Sequence, residues 1–180
     1  EALEKLGKKN KEIVVLDADL ANATMTKKFK ALYPKRFFDM GIAEQDLMGT
    51  AAGFAIGGKI PFASTFAIFA AGRAYEQIRN SIAYPHLNVK VVATHAGLTV
   101  GEDGASHQAI EDISLMRTIP EMVVFSPCDD LETKWVIDWA SKYDGPVYVR
   151  LTRPKVESIY GENPEIKASG IDEKDILKEE

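Results

Sequence analysis

Ile60-Pro61-Phe62-Ala63-Ser64-Thr65-Phe66-Ala67-Ile68-Phe69, and then Val89-Lys90-Val91-Val92-Ala93-Thr94, are the two runs whose reading decides the fold. Residues 60–64 and 89–94 are short, β-branched and aromatic, which is the pattern of buried strands. The segment between them, about 66–84, has helical spacing and is long enough to cross a sheet. Strand, long crossover and strand make a parallel pair. The same rhythm extends outward. Strand-like runs stand at 13–16, 36–39, 122–125 and 147–151, and helical segments at about 24–33, 44–57, 109–118 and 129–142. The sequence therefore predicts an α/β fold: an open, doubly wound, mostly parallel sheet of about six strands with helices on both faces. In such folds ligands bind beyond the carboxyl ends of the strands.

The chain has 180 residues, 46% hydrophobic and 27% charged, which suits a single buried core. After Pro154 the composition turns to Glu, Lys, Asp, Gly and Pro. The expected division is a domain over 1–154 and a linker over 155–180 that leads toward a further domain. Residues 1–6 already have helical character without a capping residue before them, as in the interior of a longer polypeptide. A net charge of −5 without any block of Lys or Arg excludes a nucleic-acid footprint or an attraction to anionic membrane. Cys128 is alone, so an internal disulfide and a cysteine-rich zinc site are excluded, and a reducing, cytoplasmic setting fits. No apolar stretch reaches the roughly 18 residues of a membrane span.

Chemistry-bearing residues gather where strands end. Asp17 and Asp19 follow the first, Glu44 the second and His95 the fourth, and Arg153 follows the last; Gly101-Glu102-Asp103-Gly104-Ala105-Ser106-His107-Gln108 forms the loop after His95. Glu44 opens a segment dominated by Ala, Gly, Leu, Met and Phe. It reads either as an acid that complements a helix dipole or as a functional carboxyl. Phe66 and Phe69, three apart, fill a core or make a stacking wall for a flat heterocycle. His95 and His107, with Glu102 and Asp103 between them, match no metal-ligand spacing, so no protein-built metal site is expected. They suit hydrogen bonding to a polyhydroxylated substrate better. Arg153 is a surface charge or a ligand contact, and His86 reads as a surface turn residue.

Taken in order, Gly41-Ile42-Ala43-Glu44-Gln45, residues 61–69, Thr94-His95, residues 101–108 and Leu151-Thr152-Arg153 resemble the pyrimidine-binding domain of transketolases over about 1–155. The resemblance implies dependence on thiamin diphosphate, and transfer of a two-carbon ketol unit from a ketose phosphate to an aldose phosphate in carbohydrate metabolism. By the same resemblance Glu44 hydrogen-bonds N1′ of the aminopyrimidine and helps it reach its imino tautomer. Phe69 stacks on that ring, Phe66 lines the pocket, and Asp19 and Leu20 lie near the cofactor. His95, Asp103, His107 and Arg153 face the sugar phosphate: His107 and Arg153 at the phosphate, Asp103 at a hydroxyl, and His95 at either. His95 and His107 join Glu44 as the catalytic set.

Two departures matter. Many transketolases have a tyrosine three residues past the stacking phenylalanine, where this chain has Gly72. The family's diphosphate-binding domain, which ligates Mg2+, has no counterpart here. The resemblance thus implies a partner that carries that domain, an N-terminal subunit or the rest of the same polypeptide, in a homodimer or heterotetramer, with the chain inactive alone. Rival readings are a 1-deoxyxylulose 5-phosphate synthase, which shares Gly-Ile-Ala-Glu-Gln and an Arg73-Ala74-Tyr75-Glu76-Gln77-like helix, a 2-oxoacid dehydrogenase β subunit, and a non-catalytic interaction module. The acidic loop at 101–104 and the Phe66/Phe69 spacing favour transketolase.

Overall fold

The computed structural model describes residues 1–159. Six strands make one sheet: β1 (Ile13–Asp17), β2 (Phe37–Asp39), β3 (Ile60–Phe66), β4 (Lys90–Thr94), β5 (Val123–Phe125) and β6 (Val147–Arg150). Their order is β2-β1-β3-β4-β6-β5, and every neighbouring pair is parallel. The helices are α1 (Ala2–Lys9), α2 (Lys27–Leu32), α3 (Glu44–Ile56), α4 (Asp112–Arg117) and α5 (Asp130–Ala140).

The alternation of side chains along each strand feeds two cores. Val14 and Leu16 of β1, Ala63 of β3, Val91 and Ala93 of β4 and Tyr148 of β6 pack with Leu47, Met48 and Ala51 of α3 and with Met116 of α4. Ile13 and Val15, Phe62, Val92, Val147 and Val149 face the other way, onto Leu6 of α1, Phe29 of α2 and Val136 and Ile137 of α5. Each such fully buried aliphatic or aromatic side chain contributes roughly 1.5–3 kcal/mol. The second layer is tight: a Cβ on Gly7 would lie 2.6 Å from the Phe29 ring and 2.7 Å from the Tyr33 ring, so alanine there would wedge α1 off α2.

Chain order reverses direction about β1, with β2 on one side and β3 on the other. That switch opens a crevice beyond the carboxyl ends of β1 and β3.

Two expected boundaries move. Phe66 belongs to β3 and not to the following helix, because β3 keeps pairing with β4 as far as Phe66 opposite Thr94. The crossover then winds as two π-type segments, Phe69–Arg73 and Gln77–Ala83. Its bonds Ala74 N–H to Phe69 O and Tyr84 N–H to Arg79 O are both five residues apart. Residues 109–118 are helical only over α4, since Ala109 instead bridges Ala96. The linker expected over 155–180 is described only to Ile159, and its remainder lies outside the described residues.

Candidate functional site

The β1–β2 side of the edge is built around two aspartates. Asp17 is fully buried and accepts from Leu20 N–H (2.6 Å), Thr24 Oγ1 (2.7 Å) and Thr26 Oγ1 (2.8 Å), which together fix the turn after β1. Burial pushes its carboxyl above the usual range, opposed by those hydrogen bonds. Asp39 Oδ1 accepts from Asp19 N–H at 3.0 Å and Gly41 N–H at 3.1 Å. The same carboxylate thus ties the Asp19-Leu20 turn to the approach to α3. Asp19 is exposed in a left-handed conformation (φ 60°), and Leu20 is half-buried.

Glu44 is the first residue of α3 and only 1% exposed. Such a carboxylate needs a partner. Its Oε2 accepts from Arg73 Nη1 at 2.7 Å, and the same guanidinium lies 4.6 Å from the centre of the Phe69 ring. Phe66 stacks on His95, ring centres 3.9 Å apart and 19° between planes. Phe69 is nearly parallel to Phe66 at 6.1 Å and meets His107 edge-on at 5.2 Å. Glu44, Phe66, Phe69, His95 and His107 are thus joined by direct contacts, or through Arg73, although they come from α3, β3, the crossover, the end of β4 and the loop after it.

His95 is 7% exposed and left-handed (φ 59°), with Nδ1 3.0 Å from Thr94 Oγ1. Burial lowers its pKa, and the charge of Arg153 lowers it further, while Asp103 pulls it back up. Both neighbours therefore act on this imidazole. His107 Nδ1 lies 3.0 Å from Ser106 Oγ.

Arg153 holds the loop that carries Asp103 and His107, and Arg150 holds the start of α4 that follows it. Arg153 donates to Val100 O (2.5 Å) and to Glu102 Oε1 (2.8 Å), which holds the Glu102 carboxyl below its usual range. Gly101 has φ +86°, a conformation that strains any residue with a side chain, and a Cβ there would also sit 2.7 Å from Arg153 Nη1 and push the guanidinium aside. Arg150 Nε donates to Asp112 Oδ2 at 2.9 Å beside the Tyr148 hydroxyl, which donates to the same oxygen at 3.0 Å. It is a positioned residue as well as a strand residue. Asp103 is exposed.

The sequence reading overlooked Arg73, which stood there only within a helical motif. The available signal was chemical: a buried Glu44 requires a cation from elsewhere in the chain. His86 is also more than a turn residue, since Nδ1 lies 2.7 Å from Glu121 Oε2 and Nε2 lies 3.1 Å from Asp144 O.

Chemically, the arrangement offers flat aromatic surfaces beside one buried carboxylate, with imidazoles and a guanidinium a few ångströms further on. The Arg73 guanidinium demonstrates what fits: a planar group that donates an N–H to Glu44 while lying against Phe69. Among the described residues no group of three or more His, Cys, Asp and Glu could hold a metal ion. No helix among them is long and apolar enough to cross a membrane. A cavity of about 630 Å³ opens on the opposite side of the sheet, walled by Phe29, Phe62, Val92 and Ile137, and includes none of the aromatic-cluster residues.

The sequence family described as transketolase, pyrimidine binding domain, matches residues 1–158. A putative transketolase C-terminal section of Methanocaldococcus jannaschii is 59% identical over 165 residues, covering 92% of this chain and 52% of the relative. A 6-deoxy-6-sulfo-D-fructose transketolase subunit of Clostridium sp. is 43% identical, covering 87% of this chain and 49% of its own. The chain spans about half the length of these curated relatives. Among solved structures, a split gene transketolase described as an inactive β4 tetramer superposes with a TM-score of 0.80 at 58% identity, covering 88% of this chain and 50% of that one.

Proposed function

This chain belongs to the family of transketolase pyrimidine-binding domains, and from that membership we propose that it supplies the pyrimidine half of a thiamin-diphosphate site for ketol transfer between sugar phosphates. The observation that carries the reading is the convergence of Glu44, Phe69 and Arg73. One buried carboxylate and one aromatic face are already spaced to take a planar N–H donor.

Bound thiamin would supply the electron sink for breaking and making the carbon–carbon bond. The chain's own residues bind and orient. Phe69 and Phe66 present faces to the aminopyrimidine, with Asp19 and Leu20 beside the cofactor. Glu44 holds or yields a proton at its carboxyl oxygen opposite N1′, and such acid–base help is worth roughly 10²–10⁴ in rate. His107 and Arg153 hold the substrate phosphate, Asp103 accepts from a sugar hydroxyl, and His95 meets the hydroxyl or phosphate region. Arg153 now pairs with Glu102, whose side chain is 83% exposed. A phosphate can therefore take Glu102's place while the bond to Val100 O keeps the guanidinium aimed.

Family membership assigns the magnesium ligands to a diphosphate-binding partner. That partner is an N-terminal subunit or the remaining part of a longer chain, and the assembly is a homodimer or heterotetramer. Residues 1–154 form the pyrimidine-binding domain, with 155–180 a linker onward. A single cysteine suits work in the cytoplasm, where thiols stay reduced. The 58%-identical structure is described as a split gene transketolase and an inactive β4 tetramer, which supports the need for a partner.

Replacing Glu44 tests the proposal. In the chain assembled with its diphosphate-binding partner, Glu44→Ala removes ketol transfer by at least about 10² while the circular dichroism spectrum is unchanged. Full activity in that variant would overturn the mechanism.

A further inference from the structure

Arg73 makes both contacts that the proposed cofactor ring needs. Its Nη1 donates to Glu44 Oε2 at 2.7 Å, and its guanidinium carbon lies 4.6 Å from the Phe69 ring centre. Among the described residues no second cation forms an ion pair with Glu44. A guanidinium and an aminopyrimidine are alike where it matters: each is flat, each can lie against a ring face, and each offers N–H donors at its edge.

We propose that Arg73 is a placeholder for the cofactor's aminopyrimidine, occupying the Glu44–Phe69 position in the cofactor-free chain and yielding it when the ring arrives. The proposal rests on the functional reading above and assigns Arg73 a part in that same site.

The surroundings suit an exchange. The Arg73 side chain is 49% exposed whereas that of Glu44 is 2% exposed, so the cation can leave into water while the carboxylate stays. Gly72 precedes it in the π-type segment, and a Cβ there would touch only Ile68 Cδ1, at 3.9 Å. The placeholder also solves a folding problem: without it, Glu44 would remain a buried carboxylate without its cation until the cofactor bound.

The test is a calorimetric titration of thiamin diphosphate, with magnesium, into the chain assembled with its diphosphate-binding partner, comparing wild type, Arg73→Ala and Arg73→Lys. Displacement costs wild type one half-exposed ion pair and one cation–π contact, so Arg73→Ala binds tighter by roughly fivefold to thirtyfold. Arg73→Lys, which keeps the charge but loses the flat fork, falls between the two. If Arg73→Ala binds equally or more weakly, Arg73 supports the bound cofactor or ignores it, and the placeholder is wrong. If wild type itself shows no binding, it is the functional reading that fails, and the placeholder with it.

Discussion

Replacing Lys90 with methionine should change how the stability of this chain depends on pH. Lys90 opens β4 and is fully buried, with Nζ donating to Tyr143 O at 2.8 Å and Gly145 O at 2.7 Å. Burial pushes its pKa down to about 7, against a smaller upward pull from Asp144. A neutral amine still has two N–H groups, enough for both carbonyls. In the unfolded chain the side chain titrates near about 10.4. Because the folded value is the lower one, the unfolded state carries an extra proton between about pH 7 and 10.4, and stability rises with pH across that window. At about 1.36 kcal/mol per pK unit the full rise is about 4–5 kcal/mol, of which about 2 kcal/mol falls between about pH 7.5 and 9.

Lys90→Met lacks this rise. It also leaves two carbonyls without their donor, a cost of roughly 1–3 kcal/mol each that does not depend on pH and so shifts the curve without tilting it. Urea unfolding followed by circular dichroism, on both proteins at several pH values, gives the difference directly, since every other titrating group cancels. Parallel pH curves for wild type and Lys90→Met would show that the lysine keeps its charge when folded, and would refute the argument.

Two further outcomes concern the proposed site. His107→Ala in the assembled enzyme should raise KM for phosphorylated sugars about tenfold, the loss of one good charge-assisted bond, and leave thiamin diphosphate affinity near that of wild type. A loss confined to cofactor affinity would put the loop against the wrong ligand. Arg153→Gln should raise the pKa of His95 toward its ordinary value, because it removes a repelling cation while the upward pull of Asp103 remains. A histidine titration by NMR reads this, and an unmoved or lower value would contradict the placement of Arg153 beside His95.

The fold was legible because a parallel sheet buried on both faces writes itself as short continuous apolar runs, of which Ile13-Val14-Val15-Leu16 is a clear case. What escaped the sequence depended on distant partners. Phe66 continues β3 only because Thr94 lies opposite it in β4, a matter of register that no local pattern carries. The π-type winding of the crossover follows from one hydrogen-bond offset, which helical spacing does not distinguish. At the site, the segments bearing Glu44, the phenylalanines and the histidines could be read from strand ends and motif resemblance. Arg73 could not, since its bond to Glu44 spans 29 residues. Likewise the bond of Asp19 to Asp39, 20 residues away, sets the turn that carries Leu20.

The choice of substrates tests the proposed function most directly. The chain, copurified with its diphosphate-binding partner, is given thiamin diphosphate and magnesium, and then either xylulose 5-phosphate with ribose 5-phosphate or pyruvate with glyceraldehyde 3-phosphate. Ketol transfer is expected with the first pair, none from the chain alone, and none with the second pair. Consumption of pyruvate in place of the ketose phosphate would transfer the site to a synthase of the same architecture, and silence toward both pairs would contradict a catalytic role.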